Sequence, residues 1–197
     1  MRYLVVPAVL AAALLVRPTA ANAQSRPSPF YFSGGIGGAR FTPSCDSGCV
    51  GDALNANSVI LVVGWHLSPR LRVEAGGQYN GATGNSGSGS HAGTLFIGAA
   101  LYPVGNLFVR GGVGQLSLSV ADTAGVTEGK GGPGYTVGVG YDLFLSHSFA
   151  ITPYANYFGG SIKNLTYTGV GTFATGGSVS AVNFGVSFTY RKMRPKR

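Results

Sequence analysis

Beyond residue 29 the chain alternates large apolar side chains with small or polar ones in eight stretches of about ten residues. The last stretch is the clearest. Val182, Phe184, Val186, Phe188 and Tyr190 share one face, and Asn183, Gly185, Ser187 and Thr189 share the other. A period of two is the signature of a strand. The pattern predicts strands over roughly 30–41, 57–67, 70–79, 93–102, 106–118, 134–144, 149–159 and 180–190. About ten residues is the length that crosses a bilayer as a tilted strand. The fold class that follows is all-β, an eight-stranded antiparallel up-and-down transmembrane β-barrel.

The connections alternate in length. Ser68-Pro69, Pro103 to Gly105 and Leu145 to His147 read as tight turns. Segments 42–56, 80–92, 119–133 and 160–179 are rich in Gly, Ser, Thr, Asn and Asp and read as four long loops. In outer-membrane barrels the short turns are periplasmic and the long loops external. An even strand number then places both termini on the periplasmic side.

The polar faces decide between a soluble and a membrane barrel. They hold Gly, Ser, Thr and Asn, with Arg72, Glu74, Gln78, Arg110 and Asp142, and they lack the Lys and Glu of a soluble surface. The apolar face therefore meets lipid and the polar face fills the lumen, which in an eight-stranded barrel has room only for side chains. Buried charges are costly unless paired. Arg72, Glu74, Arg110 and Asp142 are thus expected to form an inward ion-paired network, with Arg110 and Asp142 pairing across adjacent strands. Mid-strand Gly111, Gly112, Gly114, Gly138 and Gly140 would supply curvature and room for bulky inward neighbours. Trp65, Tyr79, Tyr102, Tyr154, Tyr157 and Tyr190, near strand ends, suit interfacial girdles. Pro153 lacks a ladder donor and predicts an irregularity in its strand.

Composition agrees. Charged residues are 10% of the 197, against about 25% in ordinary soluble domains. Residues 1–23 read as a signal peptide: Arg2, an apolar Leu4–Val16, then Ala21-Asn22-Ala23 as the cleavage site. Residues 24–29 form a short lead-in, 30–190 the barrel and 191–197 a basic periplasmic tail. The formal charge of +8 comes largely from that tail and the signal, so no basic face points to nucleic acid.

At this level the chain resembles the small eight-stranded outer-membrane barrels of the OmpA/OmpX type, proteins with an outer-membrane β-barrel domain. The resemblance rests on the whole pattern and on Val182 to Tyr190, which is similar to the C-terminal strand that such barrels present to the assembly machinery. The tail from Arg191 to Arg197 departs from that pattern. The resemblance implies outer-membrane lipids and the barrel assembly machinery as partners, with an extracellular partner at the loops. It implies a structural or surface-interaction role: membrane integrity, adhesion or host contact.

Two other classes compete. A lipid A-modifying enzyme would need a fixed His–Ser pair at the external end. His91 beside Ser86, Ser88 and Ser90 is the one candidate, in a flexible polar context; His66 and His147 lie at the opposite end. A narrow gated channel would need the lumenal charges to part. The sequence offers no cofactor motif and no metal-ligand cluster. Cys45 and Cys49, with Asp-Ser-Gly between them, read as a local disulfide of an exported chain. The bridge closes a short loop, so it should contribute only ~2 kcal/mol. Replacing both cysteines with Ser should leave barrel assembly intact; failure to assemble would show a wider role.

Overall fold

The structure is a computed structural model and describes residues 27–45, 53–83, 89–121, 126–167 and 171–193. The signal peptide and Cys49 lie outside these residues, and of Cys45 only the backbone is described, opposite Gly177, so the disulfide lies outside them too.

The strands are β1 Pro27–Cys45, β2 Leu54–Ser68, β3 Leu71–Thr83, β4 Gly89–Val104, β5 Leu107–Ala121, β6 Val126–Tyr141, β7 Leu143–Phe144, β8 Phe149–Tyr167 and β9 Gly171–Met193. Neighbours in sequence pair antiparallel, and β1 pairs with β9, which closes the ring. β6 and β7 are one stave interrupted at Asp142, and both pair with β8 in a common register. The result is a closed eight-stave up-and-down barrel. Closure pairs the backbone all round, as lipid requires.

Burial alternates along the staves. Val182, Phe184, Val186, Phe188 and Tyr190 are exposed, and Asn183, Ser187 and Thr189 are buried. Leu95, Ile97 and Leu101 face out while Thr94, Phe96 and Ala100 face in. The outward apolar run of β9 rises roughly 20 Å along the axis, given ~3.3 Å per residue and a tilt near 40°. That is close to the ~25 Å apolar band of such barrels.

Two readings change. Three of the four segments expected as long loops, 80–92, 119–133 and 160–179, are mostly strand: β8 and β9 continue as a ladder to Tyr167 and Gly171, and β5 and β6 to Ala121 and Val126. Gly- and Ser-rich sequence weakens the alternation signal but not backbone pairing, which depends on the partner strand. The chain also stays in β9 past Tyr190, so Arg191 belongs to the barrel rather than to the tail.

Glycine is needed where rings cross the lumen. A Cβ on Gly64 would run into the Tyr31 ring, and one on Gly140 into the Phe108 ring. The expected irregularity at Pro153 falls on its neighbour. Pro153 pairs in register with Val186, but the ladder to β6 and β7 lapses at Asp142, beside the residue that has no N–H to donate.

A closed ring predicts heat modifiability: unboiled and boiled samples should migrate differently on a denaturing gel. Gly140→Val should destabilise the folded form by about 1–3 kcal/mol through overpacking against Phe108, read as a lower urea midpoint. An unchanged midpoint would remove Gly140 from the account of packing.

Candidate functional site

The lumen is filled in layers. Towards the end with the longer hairpins, Phe41, Leu116, Phe158, Ile162 and Val179 form an apolar cluster with small alanines. Tyr31, Ile60, Val62, Phe96 and Tyr154 form a second, and Ala100, Tyr102 and Phe108 a third towards the short turns. Ile60, Phe96 and Phe108, which break the simple alternation in sequence, are parts of this filling.

The charged residues sit beside these clusters. Arg72, Glu74, Arg110 and Asp142 are all buried. Asp142 is the hub. Arg72 Nη2 lies 2.9 Å and Arg191 Nη2 2.8 Å from its Oδ2. Tyr102 donates to the same oxygen at 2.9 Å, and Thr152 Oγ1 donates to Oδ1 at 2.8 Å. Arg72 also donates from Nε to His66 Nε2 at 2.7 Å and lies 4.1 Å over the Tyr102 ring. A second node is looser. Tyr31 donates a short hydrogen bond to Glu74, and Arg110 approaches the same carboxylate at 3.3 Å.

The expected Arg110–Asp142 pair does not form. Arg110 is opposite Gly138 on β6, four residues up that stave from Asp142. Four residues is roughly 13 Å along a strand, too far for an ion pair. Arg110 pairs instead with Glu74, and Arg72 reaches Asp142 across the lumen. Arg191 joins the hub although it follows the terminal aromatic of the strand signal, in the stretch that reads as a tail. Continuing the parity of β9 by one more inward position, from Thr189 to Arg191, would have found it.

The aromatic assignments divide. Trp65, Tyr79 and Tyr190 are exposed on the outer wall, where Tyr79 stacks on His91 and Tyr190 packs against Phe149. Tyr102 and Tyr154 are buried and lumenal. Both are on the inward parity of their strands, and proximity to a strand end was the wrong criterion. Tyr157 is half-buried, its ring tilted against Tyr135.

Three inward amides stand apart from these charged nodes. Asn80, Asn156 and Asn183 are buried, and their amides have no hydrogen-bond partner among the described residues. Asn156 and Asn183 face each other in register, and Gln78 donates to Ser58 nearby on the same inward surface. Buried amides require partners, and enclosed water is the physical means of supplying them.

The enzyme candidate fails locally. Ser90 is buried on the lumenal face, whereas His91 points to the outer wall. Adjacent residues on a strand face opposite ways, so these two cannot form a dyad. Ser86 and Ser88 lie outside the described residues. No group of three or more His, Cys, Asp or Glu with metal-binding geometry occurs among the described residues.

Asp142→Asn should be the most damaging charge change, because it leaves one buried and one partly buried guanidinium, Arg72 and Arg191, without their carboxylate. A loss of about 3–5 kcal/mol is expected, against a smaller loss for Glu74→Gln, whose Arg110 contact is longer. Urea unfolding followed by gel mobility ranks them; equal midpoints would refute Asp142 as the hub.

No family model and no curated protein matches the chain. Solved structures do. Neisserial surface protein A, NspA, aligns with a TM-score of 0.59 and 12% identity over 84% of this chain and 98% of that one. Ail, the attachment invasion locus protein of Yersinia pestis, aligns at 0.51 and 10% over 81% and 98%. The outer membrane protein AlkL, solved in lipid bilayers, aligns at 0.50 and 13% over 88% and 95%. At these identities the likeness is one of fold, and the fold is that of the small eight-stranded outer-membrane β-barrels of the OmpA/OmpX type that the sequence resembles.

Proposed function

We propose that this chain is a bacterial outer-membrane barrel, with both termini periplasmic, that acts as a surface-interaction and envelope-stabilising element without an open pore. The observation that carries this reading is the division of labour along the axis. The lumen is filled by apolar clusters and paired charges, while the strands run on past the apolar band. β9 alone adds the stretch from Gly171 to Ala181, roughly 25 Å of paired hairpin with β8. From Gly171 to Gly176 the outer edge of β9 has no β1 partner among the described residues, and an open strand edge is a usual means of β-strand contact with a partner. Ail, a structural neighbour, is described as an attachment invasion locus protein, and adhesion or host contact is the role that hairpins of this length suit. The partners on this reading are outer-membrane lipids, the assembly machinery through β9 and an extracellular surface. A lipid-modifying activity has less support, since Ser90 and His91 face apart.

Orientation is tested by labelling. In a chain with Cys45 and Cys49 replaced, Ser178→Cys should react with a membrane-impermeant maleimide on intact cells, and Ser146→Cys only after permeabilisation. The reverse order would invert the topology. Function is tested by replacing Ser161–Ser178 with a two-residue turn. The barrel should remain heat-modifiable while adhesion of expressing cells to a host-cell layer falls severalfold. Liposomes carrying the intact barrel should not swell in sugar solutions. Undiminished adhesion would refute the hairpin as the contact, and rapid swelling would refute the closed lumen.

A further inference from the structure

We infer that the outer wall carries a binding site for a phosphorylated glycolipid of the external leaflet, built on Arg40 in the groove between β2, β1 and β9. This rests on the orientation proposed above.

The apolar band ends at the same level on all three staves. On β9 the outward series Phe184, Val182 gives way to Ser180 and Ser178; on β2, Leu61 and Val59 give way to Asn57 and Asn55; on β1, Ile36 gives way to Gly38 and Arg40. Arg40 is directly opposite Asn55 on one side and Val182 on the other. It is exposed and has no carboxylate partner among the described residues. The two carboxylates with described side chains, Glu74 and Asp142, are both inside the lumen. Among the described residues, then, the outer wall holds a guanidinium with no carboxylate partner, one step above the end of the apolar band.

The groove around it has a cavity volume of about 380 Å³ and is amphipathic. Arg40 and Asn55 supply donors at its upper end, and Val182 and Phe184 an apolar wall below. Gly38 keeps it open: a Cβ there would meet nothing within 4 Å. A guanidinium matches two phosphate oxygens at once, and an amide N–H suits a third or a sugar hydroxyl. A phosphate at the top with acyl chain running down an apolar wall is the layout of a phosphorylated glycolipid. A soluble anion would leave Val182 and Phe184 unused. The larger groove between β2 and β6, about 590 Å³, has no charged side chain in its lining and offers nothing for a phosphate.

The test uses the full barrel folded in a maltoside detergent, with bound lipid counted by native mass spectrometry. The probes are lipid A with both phosphates and the same lipid dephosphorylated. Micelles have no leaflets, so this result is independent of the labelling experiment, and failure of the site is distinguishable from failure of the orientation. Wild-type barrel should retain lipid A. Arg40→Ala should weaken retention about tenfold or more, and dephosphorylation should do the same without adding to the Arg40→Ala loss. Gly38→Phe keeps the charge, fills the groove and should also weaken binding. Lys163→Ala, the control for a second outward cation, should change it less than twofold. Each variant must keep its heat-modifiable shift. Retention within twofold of wild type in Arg40→Ala, or equal retention of the phosphate-free lipid, would overturn the proposal. So would displacement of lipid A by millimolar inorganic phosphate, which would mark a simple anion site.

Discussion

The structure depends first on a constraint of solvent. In hydrocarbon no water can satisfy a backbone N–H or C=O, so a sheet that enters it must close on itself. Closure with eight staves fixes a lumen only wide enough for side chains. From this the interior follows. Large inward rings such as Tyr31 and Phe108 need glycines opposite, at Gly64 and Gly140. Inward charges in so narrow a lumen find partners across it, as Arg72 does with Asp142.

How the charges pair shows what sequence can and cannot specify. Parity alone tells which side chains point inward, and it holds for Arg72, Glu74, Arg110 and Asp142 alike. It does not tell height. In a tilted, sheared barrel, residues of similar level on adjacent staves differ in register by one or two positions, and the offset accumulates round the ring. Arg110 and Asp142 are on neighbouring strands yet four residues apart in register, whereas Arg72 and Asp142 are on staves across the barrel and touch. Pairwise charge contacts need the register, which the turns and bulges set.

The same distinction explains the other departures. Strand existence was legible wherever apolar and small residues alternated, and illegible where Gly and Ser erased the contrast, although the backbone ladder continues there. Tyr102 and Tyr154 lie near strand ends yet fill the lumen, because parity and not distance from an end decides which wall a ring joins. Parity places Asn183 on the polar face, but nothing in the sequence announces that it meets Asn156 in register, with neither amide hydrogen-bonded among the described residues.

Asp142 joins these threads. It lies where β6 gives way to β7, at the lapse in the ladder beside Pro153. A residue released from strict pairing can turn its carboxylate fully into the lumen and accept from four side chains on β3, β4, β8 and β9. One of those donors, Arg191, lies on the inward parity near the end of the strand that closes the ring against β1. The carboxylate therefore ties the closing stave to the middle of the barrel. On this view the chain continues beyond the outward aromatic Tyr190 for a structural reason: the terminal strand contributes an outward ring to the lipid interface and, one residue later, an inward cation to the hub. The two needs are met by consecutive residues because a strand alternates its faces.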